Sequence, residues 1–277
     1  DLAWAAGDAQ AKGFLIGATS GRTTLNGEGL QHQDGHSHIL SSTIPNCKSY
    51  DPAYGYELAV IIEHGLKEMY KDKKNYFYYL TVTNERYVQP PKPKGKDVDA
   101  NIIKGMHRIS KTKKPQVRLL GSGAILNESI KAAEILNGFG IESEVWSVTS
   151  FNMLRKDGME VENENIKNVS NKAKESFVAK SFSEHKIPTV ASTDYMRAYS
   201  EQIRPYINSP YYTLGTDGFG RSDSRAKLRE FFEVDARSIV MTAAYALNKE
   251  DQLNKKELQK IYKEIKVNKN KISPWNT

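Results

Sequence analysis

The amino-acid sequence predicts an α/β protein built from two three-layer units, in each of which helices cover a largely parallel sheet. The main evidence is residues 117–148, where a buried-strand pattern, a helical pattern and a second strand pattern follow one another. Such a βαβ unit requires parallel strands. Residues 51–82 read as a helix followed by a strand and indicate a separate first unit. Three prolines in residues 89–96 exclude a helix or a central strand between the two units.

The first unit covers residues 1–86. Residues 1–12 are rich in alanine and predict a helix, and a short apolar run follows. Residues 17–38 are polar, Gly-rich and without periodicity. So long a loop in a compact domain is usually functional. We therefore search for site residues there first.

A helix is predicted to begin at Asp51, with Asp51 as N-cap and Pro52 at the first helical position. Its apolar face carries residues at helical spacing, namely Leu58, Ile62, Leu66 and Met69. The aromatic and β-branched run 76–82 then predicts a strand.

The second unit covers residues 117–277, after a basic, Pro-rich linker at 87–116. Its first strand is 117–120, and its first helix carries Leu126, Ile130, Ala133 and Leu136 on one face. Further strands are predicted at 141–148, 189–192 and 212–215, and a last helix at 255–265.

The net charge of +7 is concentrated in two segments. Residues 89–116 hold eight Lys or Arg against two Asp, and residues 251–277 hold seven Lys against three acidic residues. No basic face interleaved with aromatic residues accompanies them, so the pattern does not favour a nucleic-acid groove. The single cysteine, Cys47, excludes an internal disulfide and has no nearby histidine to activate it.

No window approaches the about 18 consecutive apolar residues that a membrane span needs. The first residues also lack the basic and apolar regions of a signal peptide. These two observations and the single cysteine predict a cytoplasmic protein that does not contact a membrane. The charge distribution predicts that it does not bind nucleic acid.

The Gly121-Ser122-Gly123 turn lies where a phosphate-binding turn would lie, after a strand and before a helix. A dinucleotide fingerprint needs a third glycine where Leu126 stands, so a tight turn without a ligand is favoured. In the polar turn 217–223, Ser222 and Asp223 are predicted to cap the following helix.

Three histidines, His32, His36 and His38, lie close together in the long loop. They are compatible with a metal site to which Asp34 adds an oxygen, with a purely loop-forming role, or with acid–base chemistry. The residue pattern by itself leaves these three interpretations open.

Long stretches of the sequence resemble one enzyme family. The stretches are 17–38, 44–47, 49–53, 190–196 and 214–225. They closely resemble the homodimeric bacterial pyruvate dehydrogenases, the decarboxylating first components of pyruvate dehydrogenase complexes, within the transketolase-like thiamine diphosphate enzymes. The matches are long, specific and spread over most of the chain.

The resemblance implies that residues 1–86 are the later part of an aminopyrimidine-binding domain and 117–277 a transketolase-type C-terminal domain. The family motif Gly-Asp-Gly followed by Asn, which binds Mg2+ and diphosphate, is not found in this sequence. The chain is therefore expected to be a C-terminal portion of such an enzyme. Thiamine diphosphate and Mg2+ are expected in the full-length enzyme, and this portion alone is expected to bind neither and to be inactive.

The resemblance also implies roles for residues of the loop. His38 would be catalytic, hydrogen-bonding the substrate-derived oxygen, because it ends an Asp-Gly-x-x-His stretch. Asp34 and His36 would contact the substrate. The loop would be ordered by three further residues, Glu28, Gln31 and His32.

The implied activity is decarboxylation of pyruvate and reductive acetylation of a lipoyl group on a dihydrolipoyl acetyltransferase, by a homodimer. This reaction would lead from glycolysis to acetyl-CoA. Two alternatives stay open. One is ketol transfer of the transketolase type, and the other is a non-catalytic dimerisation module.

Overall fold

A computed structural model describes residues 2–18, 20–29, 31–169 and 172–277. These residues form two sheets, the first from strands within 14–81 and the second from strands within 106–214. We refer to the residues up to 104 as the first half of the chain and to those from 106 onward as the second half. The first sheet is wholly parallel with strand order β1-β3-β2. Its strands are β1 (Phe14–Gly17), β2 (Cys47–Tyr50) and β3 (Phe77–Thr81).

The second sheet has the order β4-β6-β5-β7-β8. All pairs are parallel except β4 with β6, which is antiparallel. The strands are β4 (Met106–Ser110), β5 (Val117–Gly121), β6 (Ser143–Val148), β7 (Thr189–Ser192) and β8 (Tyr211–Leu214). The predicted βαβ unit is thus confirmed, with Leu119 paired to Val145 on one side and to Val190 on the other.

Helices surround both sheets within the described residues. In the first half they are α1 (Leu2–Asp8), α2 (Ser37–Ser42), α3 (Gly55–Leu66) and α4 (Val98–Lys104). In the second half they are α5 (Leu126–Gly138), α6 (Phe151–Lys167), α7 (Phe177–Phe182), α8 (Arg197–Glu201), α9 (Arg225–Phe232), α10 (Ala236–Lys249) and α11 (Lys255–Glu264). None of these helices is long and apolar enough to cross a membrane.

The core lies on both faces of the second sheet, because β5 is buried along its whole length. Val117 and Leu119 pack against α5 and α10, whereas Leu120 packs with Phe151 and Tyr199 on the other face. Burial on both faces explains why this strand reads as a continuous apolar run rather than an alternating one.

The segment predicted as a linker, 87–116, is only partly a linker. Residues 98–104 form α4, and residues 106–110 form β4, which adds an antiparallel edge to the second sheet. The prediction was wrong there because three prolines dominate the composition only up to residue 93. The helix ends at Gly105, whose φ of 116° reverses the chain into the strand.

Two predicted helix caps were also wrong. α3 begins at Gly55 rather than at Asp51, with Tyr54 as N-cap and the Glu57 carboxylate accepting hydrogen bonds from the Ala53 and Tyr54 amides. α9 begins after Ser224, with no side-chain cap from Ser222 or Asp223. Asp51 instead makes contacts elsewhere in the fold, whereas the Asp223 carboxylate accepts, within the described residues, only from the adjacent Ser224 amide.

Candidate functional site

Polar residues collect where the carboxyl ends of the two sheets meet. Asp51 follows β2, Thr81 ends β3, Ser122 follows β5, and Asp194 comes two residues after β7. In open α/β sheets, ligands bind outside the carboxyl ends of the strands, at the point where strand order reverses. In the second sheet that point lies between the neighbouring strands β5 and β7. The chain passes from β5 to β6 on one side of β5 and later returns to β7 on its other side.

Asp51 is the centre of this junction and is buried. Its carboxylate accepts hydrogen bonds from the Thr81 hydroxyl (2.8 Å) and from the Ser122 hydroxyl (2.9 Å), and its carbonyl oxygen accepts from the Gly123 amide. A Cβ at Gly123, where φ is 50°, would lie 2.7 Å from both carboxylate oxygens. The turn that resembles a phosphate-binding turn therefore receives a carboxylate of the same chain.

Burial raises the pKa of Asp51 to about 7. The hydrogen bonds from Thr81 and Ser122 oppose this shift, whereas the negative charges of Asp194 and Glu57 add to it. A carboxyl group that titrates near neutral pH at the meeting point of two sheets is a candidate functional group.

His38 lies against this centre, in α2, and is fully buried. Its Nε2 is 3.0 Å from Thr81 Oγ1. The ring stacks on Tyr199 and meets the edge of Tyr195, both with centroids 4.7 Å away. Desolvation lowers the pKa of His38 to about 3, although the charge of Asp34 acts in the opposite direction. The imidazole is therefore neutral at physiological pH.

The tautomer of His38 follows from its neighbours. The Thr81 hydroxyl lies near two oxygen acceptors, Asp51 Oδ1 and the Tyr50 carbonyl oxygen. With Asp51 ionised, that hydroxyl donates away from His38, so Nε2 must carry the hydrogen and donate to Thr81. Nδ1 is then an acceptor, and it has no hydrogen-bond partner within the described residues.

The other predicted site residues lie in different environments. Asp34 caps the start of α2, since its Oδ1 accepts hydrogen bonds from the amides of His36 and Ser37 at 3.0 Å each. The remaining members of the predicted set are exposed, namely Glu28, Gln31, His32 and His36. The structure thus separates the buried His38 from the exposed His32 and His36. Within the described ranges, no group of three or more His, Cys, Asp or Glu side chains is placed to hold a metal ion.

The Gly-rich loop is held by the second unit. Asp194 accepts hydrogen bonds from the Thr23 amide (3.1 Å) and the Thr23 hydroxyl (2.7 Å). Arg225 Nε donates to the Thr24 carbonyl oxygen at 2.7 Å. Burial raises the pKa of Asp194 to about 6, against the hydrogen bonds from Thr23 and the charge of Arg229.

Two further buried groups join the halves of the chain. Arg229 makes an ion pair with Glu85 and lies 3.5 Å from Glu128. His107 Nε2 contacts Glu57 Oε1 at 2.6 Å, and both residues are almost fully buried. The Arg229–Glu85 and His107–Glu57 contacts each link a residue before position 87 to one after it.

Sequence reasoning missed Asp51, Thr81 and Asp194 as members of one cluster. A signal for them existed, because each lies at or just after the end of a strand. The thiol of Cys47 is buried, and burial raises its pKa to about 12, which is the direction expected for an unreactive thiol.

Two family models match the chain in succession. Residues 1–90 match the pyruvate dehydrogenase E1 component middle domain, and residues 105–235 match the transketolase-like C-terminal domain. Among curated relatives, the pyruvate dehydrogenase E1 component of Pseudomonas aeruginosa is 58% identical over 252 residues, which are 89% of this chain and 28% of that protein. The Escherichia coli K12 protein of the same name is 49% identical over 99% of this chain and 31% of its own length.

Solved structures show the same fold at low sequence identity. A transketolase from Pichia stipitis superposes with a TM-score of 0.64 at 16% identity, over 95% of this chain and 32% of that one. A transketolase from Campylobacter jejuni has a TM-score of 0.64 at 17% identity, over 87% of this chain and 32% of its own. The chain therefore has a transketolase-like α/β fold and spans about three tenths of the length of the curated relatives.

Proposed function

The chain belongs to the family of the pyruvate dehydrogenase E1 component, and from this premise we propose that it forms part of an enzyme that decarboxylates pyruvate. The acetyl group would pass to a lipoyl group of a partner dihydrolipoyl acetyltransferase. The observation that carries the proposal is 46–58% identity to relatives of that name along nearly the whole chain. This identity is far above the 14–17% shared with solved transketolases.

In the proposed domain arrangement, residues 1–86 complete the aminopyrimidine-binding domain and residues 117–277 are the C-terminal domain. The ranges of the two family models support this division. Asp51, Asp194 and Arg229 would hold the two domains together, since their contacts cross from one to the other.

We propose thiamine diphosphate and Mg2+ as cofactors of the complete enzyme. The thiazolium ring acts as an electron sink for decarboxylation when it is bound. The loop 17–38 carries three imidazoles and two carboxylates, Glu28 and Asp34, of which Asp34 already accepts hydrogen bonds at the start of α2. This set suits hydrogen bonding to a substrate. Binding of the diphosphate and its metal is assigned to residues outside this chain, because Mg2+ requires several oxygen ligands.

The geometry gives the proposed role of His38 a more definite form. With Nε2 donating to Thr81, the free atom is Nδ1, which accepts a hydrogen bond or a proton. Contact with a substrate requires Tyr195 or Tyr199 to move, because the ring is fully buried. Where the reaction needs a donor from this loop, the exposed His32 and His36 supply it. Asp34 keeps His36 in place through the backbone.

The proposed assembly is a homodimer in the cytoplasm, as expected from the family resemblance. Large apolar side chains remain exposed on the first unit, including Trp4, Leu15 and Ile16, and they are suited to contact with further protein. A non-catalytic dimerisation module stays the alternative from another functional class.

The test uses the complete polypeptide, supplied with thiamine diphosphate and Mg2+. We expect carbon dioxide release from pyruvate and acetylation of added lipoyl domains, with no ketol transfer from a phosphosugar. Ketol transfer without pyruvate turnover would replace the proposal by the transketolase alternative. Absence of both activities in a folded dimer that binds the cofactor would leave the dimerisation module.

A further inference from the structure

One buried glutamine connects the exposed part of the Gly-rich loop to the second unit. Gln33 is 3% exposed although it stands between the exposed His32 and the half-buried Asp34. Its Nε2 donates to the carbonyl oxygens of Leu25 and Arg221, at 2.7 Å each, and its Oε1 accepts from the Arg221 amide at 2.8 Å. The whole amide group is therefore satisfied by backbone groups, one in the same loop and two at the distant residue Arg221.

These contacts tie both arms of the loop to one turn. Leu25 lies on the arm that enters the loop, and Gln33 on the arm that leaves it. Gln33 joins the Leu25 carbonyl oxygen to the turn at Arg221, and the Gly27 amide donates to the Asp223 carbonyl oxygen in the same turn. The exposed Glu28, Gln31 and His32 lie between the attachments at Gly27 and Gln33, so their placement depends on these contacts.

The turn 217–223 and the neighbouring Arg197 contact residues 274–277. Arg221 Nη2 donates to the Thr277 carbonyl oxygen at 2.8 Å, and the Trp275 ring lies under the Arg197 guanidinium, 5.2 Å from its carbon. Gly218 has a φ of 108°, and a Cβ there would lie 2.8 Å from the Pro274 carbonyl oxygen. This close approach leaves the turn little room to move.

We propose that Gln33 is the positioning residue of the loop, which places His32 and Asp34 by fixing the loop to the turn 217–223. The second unit would thereby shape a site to which it contributes no reacting group. The consequence for turnover rests on the proposed function, whereas the placement of the loop does not. Gln31, the glutamine predicted to order the loop, is exposed and becomes the matched control.

The experiment compares Gln33→Met with Gln31→Met in the full chain by amide hydrogen exchange. Methionine keeps the volume of glutamine but leaves the backbone groups of Leu25 and Arg221 without partners. In Gln33→Met we expect the Arg221 and Gly27 amides to exchange about 10-fold faster or more, while amides of β5 stay unchanged. In Gln31→Met all of them should stay within about 2-fold of the wild type.

Equal exchange at Arg221 and Gly27 in the two variants would overturn the proposal. If Gln33→Met also loses protection in β5, Gln33→Asn decides, because its shorter amide cannot reach both Leu25 and Arg221. Faster exchange confined to the loop and turn supports the proposal, and unchanged exchange there rejects it.

A second measurement separates positioning from mere stability. In the complete enzyme, Gln33→Met should lower kcat for pyruvate by about 10- to 100-fold, the cost of a small misplacement. The dissociation constant for thiamine diphosphate should not change. A loosened loop with wild-type kcat would reject the positioning role. A wild-type enzyme without pyruvate turnover would reject the proposed function and leave the exchange result standing.

Discussion

Two buried histidines lie at the contact between the halves of the chain, and they meet a carboxylate in different ways. His107 Nε2 contacts Glu57 Oε1 directly at 2.6 Å. His38 is separated from Asp51 by the Thr81 hydroxyl, at 3.0 Å from the histidine and 2.8 Å from the carboxylate. Nδ1 of each ring lacks a hydrogen-bond partner within the part of the chain that the structure describes.

The difference shows how one intervening hydroxyl changes the role of a buried imidazole. Direct contact with a carboxylate makes a charge-assisted hydrogen bond, which is among the stronger kinds. Glu57 also accepts from the Ser147 hydroxyl and the amides of Ala53 and Tyr54, so its oxygens are fully used. The hydroxyl-bridged His38 packs against three tyrosine rings, and its Nδ1 has no hydrogen-bond partner within the described residues. We therefore assign structural support to His107 and retain the proposed reaction role for His38.

The largest expected effect comes from removing the imidazole of His38. In the complete enzyme, His38→Ala should lower turnover of pyruvate by about 10- to 1000-fold, the range for a lost proton-transfer or charge-stabilising group. Cofactor affinity should change little. Steady-state kinetics and calorimetric titration of the cofactor measure the two quantities.

The control for this variant is His64→Ala. His64 lies in α3, partly exposed, and its Nε2 is 3.6 Å from Glu68. Near-normal turnover is expected of it. A folded His38→Ala enzyme with wild-type turnover would transfer the proposed role to His36 or His32, whose alanine variants are the next to measure.

For His107 the expected effect is on stability rather than on turnover. His107→Leu leaves the buried Glu57 carboxylate without its imidazole partner, which should lower the free energy of unfolding by about 3 kcal/mol. Urea denaturation checks this value. A decrease below about 0.5 kcal/mol would show that Ser147 and the backbone amides suffice for Glu57 and would remove the proposed distinction between the two histidines.

The pH dependence of stability tests the other carboxylate, Asp51. Its folded-state pKa of about 7 lies above its ordinary value of 3.8, so the folded state binds the proton more tightly than the unfolded state. The resulting stability is present at low pH and is lost as pH rises through the folded pKa. Asp194, with a pKa of about 6, acts in the same direction.

We therefore expect Asp51→Asn, measured against the wild type, to gain about 2 kcal/mol in unfolding free energy between about pH 5 and pH 8. Denaturation of both proteins at each pH gives this difference. A difference that is independent of pH would mean that Asp51 has the same pKa in the folded and unfolded chain.

The smallest effect concerns a single hydrogen. Nitrogen-15 spectra of histidine-labelled chain at about pH 8 should show His38 as the neutral tautomer with hydrogen on Nε2. Because its pKa is about 3, the signal should not titrate as a protonation of the ring between about pH 5 and pH 8. Hydrogen on Nδ1 at the higher pH would contradict the proposed donation to Thr81.

The local sequence determined the regular elements that have a strong pattern. The βαβ unit, a helix after Asp51, the aromatic strand and the last helix are present where the apolar pattern predicts them. The predicted apolar face of α3 is only partly right, because Leu66 is exposed, Ile61 is fully buried, and Met69 lies beyond the end of α3. The resemblance of residues 17–38 also directed attention to the loop that leads to His38. The structure shows that this loop lies against the carboxyl ends of both sheets.

Only the tertiary structure decided what individual polar residues do. Asp51 looks like a helix cap in the sequence, but it is buried between Thr81 and Ser122, which are 30 and 71 residues away. Gln31 and Gln33 have the same chemistry and almost the same neighbours in sequence, yet one is exposed and the other is satisfied by a turn 188 residues away. Burial and hydrogen-bond partners of this kind depend on how two sheets meet, and no local pattern encodes that contact.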